Sequence, residues 1–371
     1  MLFRRSRKLY IKIMRKTKKR VVVGMSGGVD STVSAILLKQ QGFDVSGVFM
    51  KIWDEKNTDT CINKSSCYGP KEKDIEDLKS ICSDIGIQIY FIDSKKQFSR
   101  CVLDYFRKEY ISGRTPNPCV ICNRFIKFQF IPQELEKKGV RFDFFATGHY
   151  ARVEYSQERK RYILKKGIDR DKDQSYFLFL LTQKQLSKII FPLGNYTKQN
   201  VRDIAKQYRL DVYQKPESQD FIRGDRFFLF DKGTEPGEII DSKGSVVGKH
   251  KGIIHYTIGQ RRGTGIAKGK PLYVIKIDSD KNRIIVGDEK DLYRDKLIAS
   301  DVNFIGIEKP TRPVDIIAKI RYKHPGAKAR IYPLKNNEIE VVFNEPQRAI
   351  TPGQAVVFYK GDEAIGGGFI K

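Results

Sequence analysis

The sequence RVVVGMSGGVDS, residues 20–31, decides the fold. Its first part, residues 20–25, is a short apolar run rich in β-branched side chains, which is typical of a buried strand. Helical apolar spacing follows over residues 32–41. The glycines between these two segments therefore predict a loop that joins a strand to a helix, which is the repeating unit of an α/β sheet.

The same alternation of strand and helix continues to residue 146. Strand-like apolar runs lie at 45–52, 87–92 and 142–146, and helical spacing lies at 71–85, 97–110 and up to about 138. Strands that alternate with helices favour parallel pairing, because each helix carries the chain back across the sheet. We therefore predict a doubly wound parallel sheet.

The pattern changes after about residue 215. Short strand-like runs separated by Gly, Pro, Asn and Asp lie at 272–277, 283–286, 316–321 and 338–343. The segments 278–282 and 335–337 are typical of hairpin turns. This spacing predicts a C-terminal antiparallel β-barrel, preceded by a mixed central domain.

Composition and charge narrow the class of protein. Lysine and arginine number 70 against 44 acidic residues, a formal net charge of +26, which points to a polyanionic partner such as a nucleic acid. No apolar run is long enough to span a bilayer, so we expect no membrane association. Six cysteines in 371 residues are too few for a disulfide-rich secreted scaffold, and a cytoplasmic protein is expected. Cys82 and Cys101 fall on helical segments and are predicted to be core residues.

The first twenty residues are strongly basic and contain no acidic residue. They lack the apolar stretch of a secretory signal, so export is not expected. Two interpretations stay open. The segment is either a basic arm for nucleic acid or an upstream extension of a chain whose translation begins at Met14.

The loop at residues 26–31 offers the groups that bind phosphate. Its glycines permit close backbone approach, Ser26 and Ser31 supply hydroxyls, and the helix start supplies unpaired N–H groups. It is not the phosphate loop of GTPases, because no Gly-Lys-Ser/Thr ends it, and it lacks the third glycine of a dinucleotide fingerprint. The alternative is an ordinary strand-to-helix turn in which Asp30 caps the helix.

A second segment, residues 115–124, carries two thiols on a turn constrained by two prolines. Cys119 and Cys122 are three positions apart, with Arg124 and Lys127 close enough in sequence to favour the thiolate form. Neighbouring thiolates serve redox chemistry, metal binding or sulfur transfer. The spacing alone does not choose among these.

Both segments resemble motifs of known families. The loop at 26–31 resembles the PP-loop of ATP pyrophosphatases, which cleave ATP to AMP and pyrophosphate, and this implies ATP and Mg²⁺ with Asp30 near the metal ion. Residues 117–128 are similar to the Asn-Pro-x-x-x-Cys-Asn-x-x-Ile-Lys-Phe signature of bacterial tRNA 2-thiouridylases, the MnmA/TrmU family. Further motifs similar to those of this family lie at 47–50, 147–151, 172–177, 259–263, 321–322 and 351–355.

The resemblance implies a domain order and a reaction. After a basic extension at 1–19 it implies a PP-loop ATP-binding catalytic domain at 20–215, a central tRNA-binding domain at 216–290 and a C-terminal β-barrel domain at 291–371. In that family ATP adenylates C2 of the wobble uridine at tRNA position 34, and sulfur then displaces AMP to leave 2-thiouridine. The implied partners are such a tRNA and a sulfur donor, namely a cysteine desulfurase, a sulfur-relay protein or hydrosulfide.

The resemblance also assigns site residues position by position. Cys122 falls on the family's nucleophile, with Cys119 beside it as a second catalytic candidate. The positions assigned to ATP are Gly24, Met25, Ser26, Gly27, Gly28, Val29, Asp30, Ser31, Met50 and Gly148. The positions assigned to the target base and the tRNA are Asn117, Pro118, Cys119, Lys172, Asp173, Gln174, Arg321, Tyr322 and Gln354. His149 is added because it follows a strand end, where α/β folds place ligand contacts, and a structural role is its alternative.

The sequence departs from the family at the second catalytic cysteine. Many members carry it in a Ser-x-x-x-Cys-Phe segment, whereas residues 216–223 of this chain contain no cysteine and none follows Cys122. Three interpretations stay open. Cys119, Cys122 and Cys67 hold a four-iron four-sulfur cluster, as in related thiolases; or Cys119 and Cys122 alternate between persulfide and disulfide; or a zinc ion joins these three cysteines with Cys61.

Two other functions compete with tRNA thiolation. A small-molecule PP-loop ligase or amidotransferase would share the ATP loop but would need neither the charge of +26 nor the cysteine loop. A nonenzymatic RNA-binding protein would not need an intact loop at 26–31. Release of AMP and pyrophosphate only in the presence of tRNA distinguishes the three.

Overall fold

The structure is a computed structural model that describes residues 18–53, 72–208, 210, 221–222, 227–230, 235–266 and 271–371. The predictions made for Cys61, Cys67, residues 1–17 and most of 216–223 lie outside this part of the chain. Within the described ranges, no helix combines the length and the apolar character needed to cross a membrane.

The N-terminal part alternates strands and helices as predicted. Its strands are β1 (Arg20–Gly24), β2 (Asp44–Lys51), β3 (Gln88–Asp93), β4 (Phe144–Ala146), β5 (Ala151–Ser156), β6 (Arg161–Lys166) and β7 (Ile189–Ile190). Its α-helices are α1 (Val29–Gln40), α2 (Glu72–Asp84), α3 (Lys95–Phe98), α4 (Asp104–Ile111), α5 (Pro118–Ile121), α6 (Ile131–Lys137), α7 (Gln183–Leu186) and α8 (Lys198–Gln207). Two π-helical segments, Ser99–Leu103 and Cys122–Phe130, continue α3 into α4 and α5 into α6.

Five of these strands form one parallel sheet in the order β3-β2-β1-β4-β7. Each neighbouring pair is parallel, which confirms the predicted doubly wound sheet. β1 lies in the middle, and its residues Val21, Val22 and Val23 are buried because layers cover both faces. The order of the strands reverses beside β1, so the carboxyl ends of β1 and β4 border the crevice where such sheets bind ligands.

A smaller mixed sheet follows. Its strands β8 (Gly237–Asp241), β9 (Val246–His250), β10 (Tyr273–Asp278) and β11 (Arg283–Gly287) lie in the order β10-β11-β8-β9. The predicted turn at 278–282 joins β10 to β11 in an antiparallel hairpin, with Asn282 in the left-handed region at φ +48°.

The C-terminal strands form the predicted antiparallel barrel. They are β12 (Tyr293–Phe304), β13 (Val314–Lys319), β14 (Ala327–Pro333), β15 (Ile339–Arg348), β16 (Ala355–Lys360) and β17 (Glu363–Ile370). Pairing of β12 with both β15 and β17 closes the six strands. The predicted turn at 335–337 joins β14 to β15, and Asn336 and Asn337 both have positive φ.

The barrel sheet extends into the N-terminal part of the chain. β5 and β6 form an antiparallel hairpin, and β6 pairs with β17 through Leu164 and Ala364. On β17, a Cβ added at Gly367 would lie 2.8 Å from the ring of Phe179, so the barrel packs directly against the N-terminal layer there. The domain boundaries at 215 and 290 stay predictions, but the pairing of β6 with β17 joins the first predicted domain directly to the last.

Candidate active site

The loop after β1 forms a cradle of backbone and hydroxyl groups. Gly27 adopts φ +77°, a conformation that favours glycine, and Gly28 is extended at the N-cap of α1. The Oγ atoms of Ser26 and Ser31 lie 3.3 Å apart, and the Ser31 hydroxyl donates to the Gly28 carbonyl at 3.0 Å. The two hydroxyls therefore meet at the start of the helix, beside its unpaired N–H groups.

Asp30 does not cap this helix. Its Oδ1 accepts hydrogen bonds from Lys198 Nζ at 2.7 Å and from the Tyr150 hydroxyl at 2.8 Å, and Oδ2 accepts from Lys198 Nζ at 2.9 Å. No side chain caps α1 at Gly28, so the alternative interpretation of the loop as a turn capped by Asp30 is wrong. The ion pair leaves the Asp30 charge largely neutralised at the edge of the phosphate cradle.

Sequence analysis missed Lys198 and Tyr150. Lys198 is 8% exposed and is the first residue of α8, which a Thr197–Asn200 capping box begins. The capping box predicts the start of a helix from the sequence, but it does not identify Asp30 as the ion-pair partner of Lys198. The pattern of residues in a single sequence does not predict which distant side chains form such a pair.

The turn after β4 touches both candidate segments. A Cβ added at Gly148 would lie 2.9 Å from the Asp30 carbonyl carbon and 3.0 Å from the Ser31 nitrogen. The next residue, His149, packs its ring against Phe128 and Phe191, with centroids 5.9 and 5.8 Å away. Phe128 belongs to the π-helical segment that Cys122 begins, so this turn connects the phosphate cradle to the thiols.

His149 is held as a neutral ring. Its Nδ1 lies 2.7 Å from Thr147 Oγ1. Burial, together with the positive charge of Lys127, holds the pKa of His149 well below its ordinary value. At neutral pH the ring therefore carries no charge, which suits contact with a base rather than with a phosphate.

The thiols lie where α5 passes into the second π-helical segment. Cys119 is half-buried and Cys122 is 8% exposed. The next residue, Asn123, is buried and donates from Nδ2 to the Phe177 carbonyl at 3.1 Å. Arg124 donates to Gln129 at 3.0 Å, and burial lowers its pKa, so its predicted role in favouring the thiolate stays a prediction. Wide helical segments of this kind are frequent at functional sites.

The barrel supplies two of the predicted tRNA-binding residues to the same place. Gln354 Nε2 donates to the carbonyls of Thr115 and Pro116, each at 3.3 Å, at the base of the cysteine loop. The Tyr322 ring lies 4.6 Å from the ring of Phe177. The barrel therefore contacts the base of the cysteine loop and Phe177, whose carbonyl accepts a hydrogen bond from Asn123 next to Cys122.

Other predicted contacts have evident structural partners. Asp173 is buried and accepts hydrogen bonds from the backbone nitrogens of Gly167 and Ser175, each at 3.1 Å. Gln174 Oε1 accepts from the Tyr150 nitrogen at 3.0 Å and so helps to hold the tyrosine that contacts Asp30. Their contacts with tRNA stay predictions, as do those of half-buried Lys172 and Arg321.

The remaining assigned positions line the sheet edge or the core. Met25 and Val29 are buried on either side of the cradle, Gly24 ends β1, and Met50 is half-buried near the end of the neighbouring β2. Pro118 is buried as the first residue of α5. Outside the site, Cys82 is buried and Cys101 packs half-buried against the core, which confirms their predicted placement.

The described residues include Cys119 and Cys122 of the predicted metal-binding cysteines. Among them, no group of three or more His, Cys, Asp or Glu side chains could hold a metal ion. Cys67 and Cys61, which the cluster and zinc interpretations require, lie outside those residues.

Comparison with known proteins covers nearly the whole chain. Residues 19–223 match the family described as tRNA methyl transferase HUP domain, 227–288 its PRC-barrel domain, and 294–370 the aminomethyltransferase beta-barrel domain. The tRNA-specific 2-thiouridylase MnmA of Acetivibrio thermocellus is 46% identical over 96% of this chain and 100% of its own length. The chain belongs to the MnmA family.

A second MnmA relative and one solved structure complete the comparison. MnmA 1 of Thermoanaerobacter pseudethanolicus is 48% identical over 96% of this chain and 99% of its own length. A 4-thiouridine synthetase, solved in complex with RNA and ATP, is 15% identical with a TM-score of 0.36, covering 57% of this chain and 45% of its own. That similarity is too low to bear on the site, so family membership rests on the MnmA relatives.

The contact between Gly148 and the cradle yields a prediction for this MnmA family member. Gly148→Ala places a methyl group against the Asp30 and Ser31 backbone, and overpacking of this kind costs about 1–3 kcal/mol. We expect ATP affinity, measured by calorimetry, to fall by about tenfold or more. Gly248→Ala is the control, because its Cβ would meet no atom closer than 3.6 Å. Unchanged affinity in Gly148→Ala would contradict the assignment of this turn to the nucleotide site.

Proposed function

We propose that this chain is a tRNA-uridine 2-sulfurtransferase, which activates C2 of the wobble uridine with ATP and replaces its oxygen by sulfur. One observation carries the proposal. In a chain that matches MnmA relatives over nearly its whole length, a single turn contacts both the PP-loop and the helical segment that begins at Cys122. The net charge of +26 suits a polyanionic substrate.

The first step is adenylation. The C2 oxygen of uracil attacks the α-phosphorus of ATP, the bond from that phosphorus to the bridging oxygen breaks, and pyrophosphate leaves. The N–H groups at the start of α1 and the hydroxyls of Ser26 and Ser31 would bind the leaving pyrophosphate, because a helix start favours anions. Lys198 would bring a buried positive charge to the same place.

A magnesium ion fits this cradle. Mg²⁺ is usually held by one or two carboxylates together with phosphate oxygens of the substrate. Asp30 supplies one carboxylate at the edge of the cradle and would hold the ion with ATP in place. The bound ion would neutralise charge on the pyrophosphate, while Lys198 and Tyr150 keep the carboxylate oriented.

The second step is sulfur transfer. We propose that Cys122 carries a persulfide formed by an external sulfur donor, and that its terminal sulfur attacks C2 as the C2–O bond breaks and AMP leaves. The Cys119 thiolate then attacks the Cys122 sulfur, which breaks the S–S bond and releases 2-thiouridine. A Cys119–Cys122 disulfide remains, and an external dithiol reduces it. Cys119 thereby replaces the second cysteine that residues 216–223 lack.

The persulfide route can be tested by metal analysis. It needs only the two thiols of the described cysteine loop, whereas a four-iron four-sulfur cluster or a zinc site also needs Cys67. We therefore expect protein purified without oxygen to contain no stoichiometric iron, zinc or acid-labile sulfide. Iron and sulfide at about four each, lost in Cys119→Ala, would overturn the persulfide route in favour of a cluster. Zinc without sulfide would make the thiols structural.

The central prediction concerns Cys122. Cys122→Ala removes the sulfur carrier but no charged tRNA contact, so we expect no 2-thiouridine while tRNA affinity stays within about twofold. Mass spectrometry of digested tRNA measures the product, and filter binding measures the affinity. Cys101→Ala, which removes a half-buried thiol of the preceding π-helical segment, should thiolate normally. Normal thiouridine in Cys122→Ala would refute the assignment.

A further prediction concerns the basic edge of the barrel. Arg321 is half-buried and donates to the Arg348 carbonyl at 3.2 Å, and Lys323 is exposed beside it. Replacing both by Ala should weaken tRNA binding and reduce its salt dependence by about one unit of slope for each phosphate that is no longer neutralised. Lys335→Ala, at an exposed lysine of the β14–β15 turn, is the matched control. An unchanged slope in the double variant would exclude this edge.

The same assays distinguish the competing class. A small-molecule PP-loop ligase would release AMP and pyrophosphate without tRNA, whereas we expect release only in its presence. A cytoplasmic location follows from the proposed substrate and from the need to keep Cys119 and Cys122 reducible.

A further inference from the structure

The segment at residues 114–117, which leads into the thiol-bearing helix, has few backbone N–H groups with which to fix its own conformation. Residues 114–117 belong to no helix or strand, and Pro116 and Pro118 have no backbone N–H group to donate. Thr115 donates its N–H to the Pro352 carbonyl of the barrel at 2.8 Å. Asn117 therefore carries the only amide N–H between Thr115 and Cys119.

Two tyrosine hydroxyls hold Asn117. Its backbone nitrogen donates to the Tyr105 hydroxyl at 3.1 Å, and its Nδ2 donates to the Tyr176 hydroxyl at 3.4 Å. Asn117 is 7% exposed and is the N-cap residue of α5, the short helix that carries Cys119 and ends immediately before Cys122. A shift of Asn117 would therefore move both thiols.

Both tyrosines are themselves fixed by the rest of the fold. Tyr176 is fully buried, and its hydroxyl donates to the Ala355 carbonyl at the start of β16 at 2.9 Å. Tyr105 lies on α4, and its ring packs 6.3 Å from that of Phe369 on β17. The two hydroxyls thus connect Asn117 to a helix of the N-terminal part and to the barrel.

The hydroxyls are neutral groups at working pH. Burial raises the pKa of both Tyr105 and Tyr176 far above the ordinary value for tyrosine. Their removal would therefore alter the position of the cysteine loop without changing the charge around it. In the described residues, none of their hydrogen bonds reaches the phosphate cradle at 24–31.

We propose that Tyr105 and Tyr176 are positioning residues for the sulfur-transfer step, whose hydroxyls fix Asn117 and thereby the helix that presents Cys119 and Cys122. The proposal rests on the proposed tRNA thiolation. Pyrophosphate leaves at the cradle, whereas both thiols move with this helix, so loss of either hydroxyl should slow sulfur transfer more than adenylation, even with Asn117 assigned to the target base. A displacement of about 1 Å at a reacting group can lower a rate about a hundredfold.

The test uses Tyr105→Phe, Tyr176→Phe and the double variant of the full chain. Each change keeps the aromatic ring and removes only the hydroxyl. Single-turnover reactions with ATP, tRNA and a low-molecular-weight persulfide, which transfers its outer sulfur to the Cys122 thiolate and leaves as a thiolate, measure pyrophosphate release and 2-thiouridine formation separately. We expect thiouridine formation to slow by about tenfold or more, pyrophosphate release to slow by a clearly smaller factor, and tRNA affinity to stay within about twofold of wild type.

Tyr359→Phe is the matched control. Tyr359 is also fully buried, and its hydroxyl lies 3.1 Å from Ser175 Oγ, one residue from Tyr176, without contact with the cysteine loop. It should leave both steps unchanged. If all the Phe variants slow both steps equally, or if none slows thiouridine formation, the positioning role is overturned.

A second readout does not depend on the reaction. Cys122 is 8% exposed, so a loosened helix should increase its alkylation by iodoacetamide several-fold in Tyr105→Phe and Tyr176→Phe, but not in Tyr359→Phe. Site-resolved mass spectrometry compares Cys122 with Cys101 in each variant. Unchanged Cys122 alkylation in both Phe variants would overturn the positioning role. Absence of thiouridine formation by the wild-type chain would instead refute the proposed function, and the alkylation result would still be valid in that case.

Discussion

The close approach of Gly148 to the backbone of Asp30 and Ser31 is the constraint on which the site depends. Only a residue without a Cβ lets the end of β4 pass within van der Waals distance of the first turn of α1. The same turn then places His149 against Phe128, on the segment that begins at Cys122. A backbone contact thus fixes this turn to the phosphate cradle, and the His149 ring carries the contact on to the segment of the candidate thiols.

The barrel contacts the segment that carries the candidate thiols, in addition to its proposed contacts with tRNA. Through Pro352, Gln354 and Ala355 it contacts the cysteine loop or the tyrosine that holds it. A strand of the N-terminal half, β6, in turn pairs with the last strand of the barrel. Because the loop has few hydrogen bonds of its own, the position of the thiols depends on a domain about 200 residues further along the chain.

The features predicted correctly from the sequence are those that depend on patterns among neighbouring residues. Apolar runs and turn residues predicted the parallel sheet, the barrel hairpins and the core placement of Cys82 and Cys101. The contacts that complete the site are long-range. Asp30 pairs with Lys198 across 168 positions, and Asn117 binds Tyr176 across 59. The spacing of apolar residues does not identify such long-range pairs. It also does not distinguish the π-helical segment at the thiols from an ordinary α-helix.

The ion pair between Asp30 and Lys198 balances the negative charge of Asp30 beside the proposed phosphate cradle. A carboxylate alone at the mouth of a phosphate cradle would repel the triphosphate, and in a partly buried setting that repulsion is weakly screened. Lys198, held by its backbone contact to Asp169, neutralises that carboxylate at its own position. The carboxylate can therefore remain where a cation would need it, while the helix start and the two serine hydroxyls keep their attraction for anions. Under the proposed function, the first turn of α1 would then hold both the phosphate groups and the metal ligand Asp30.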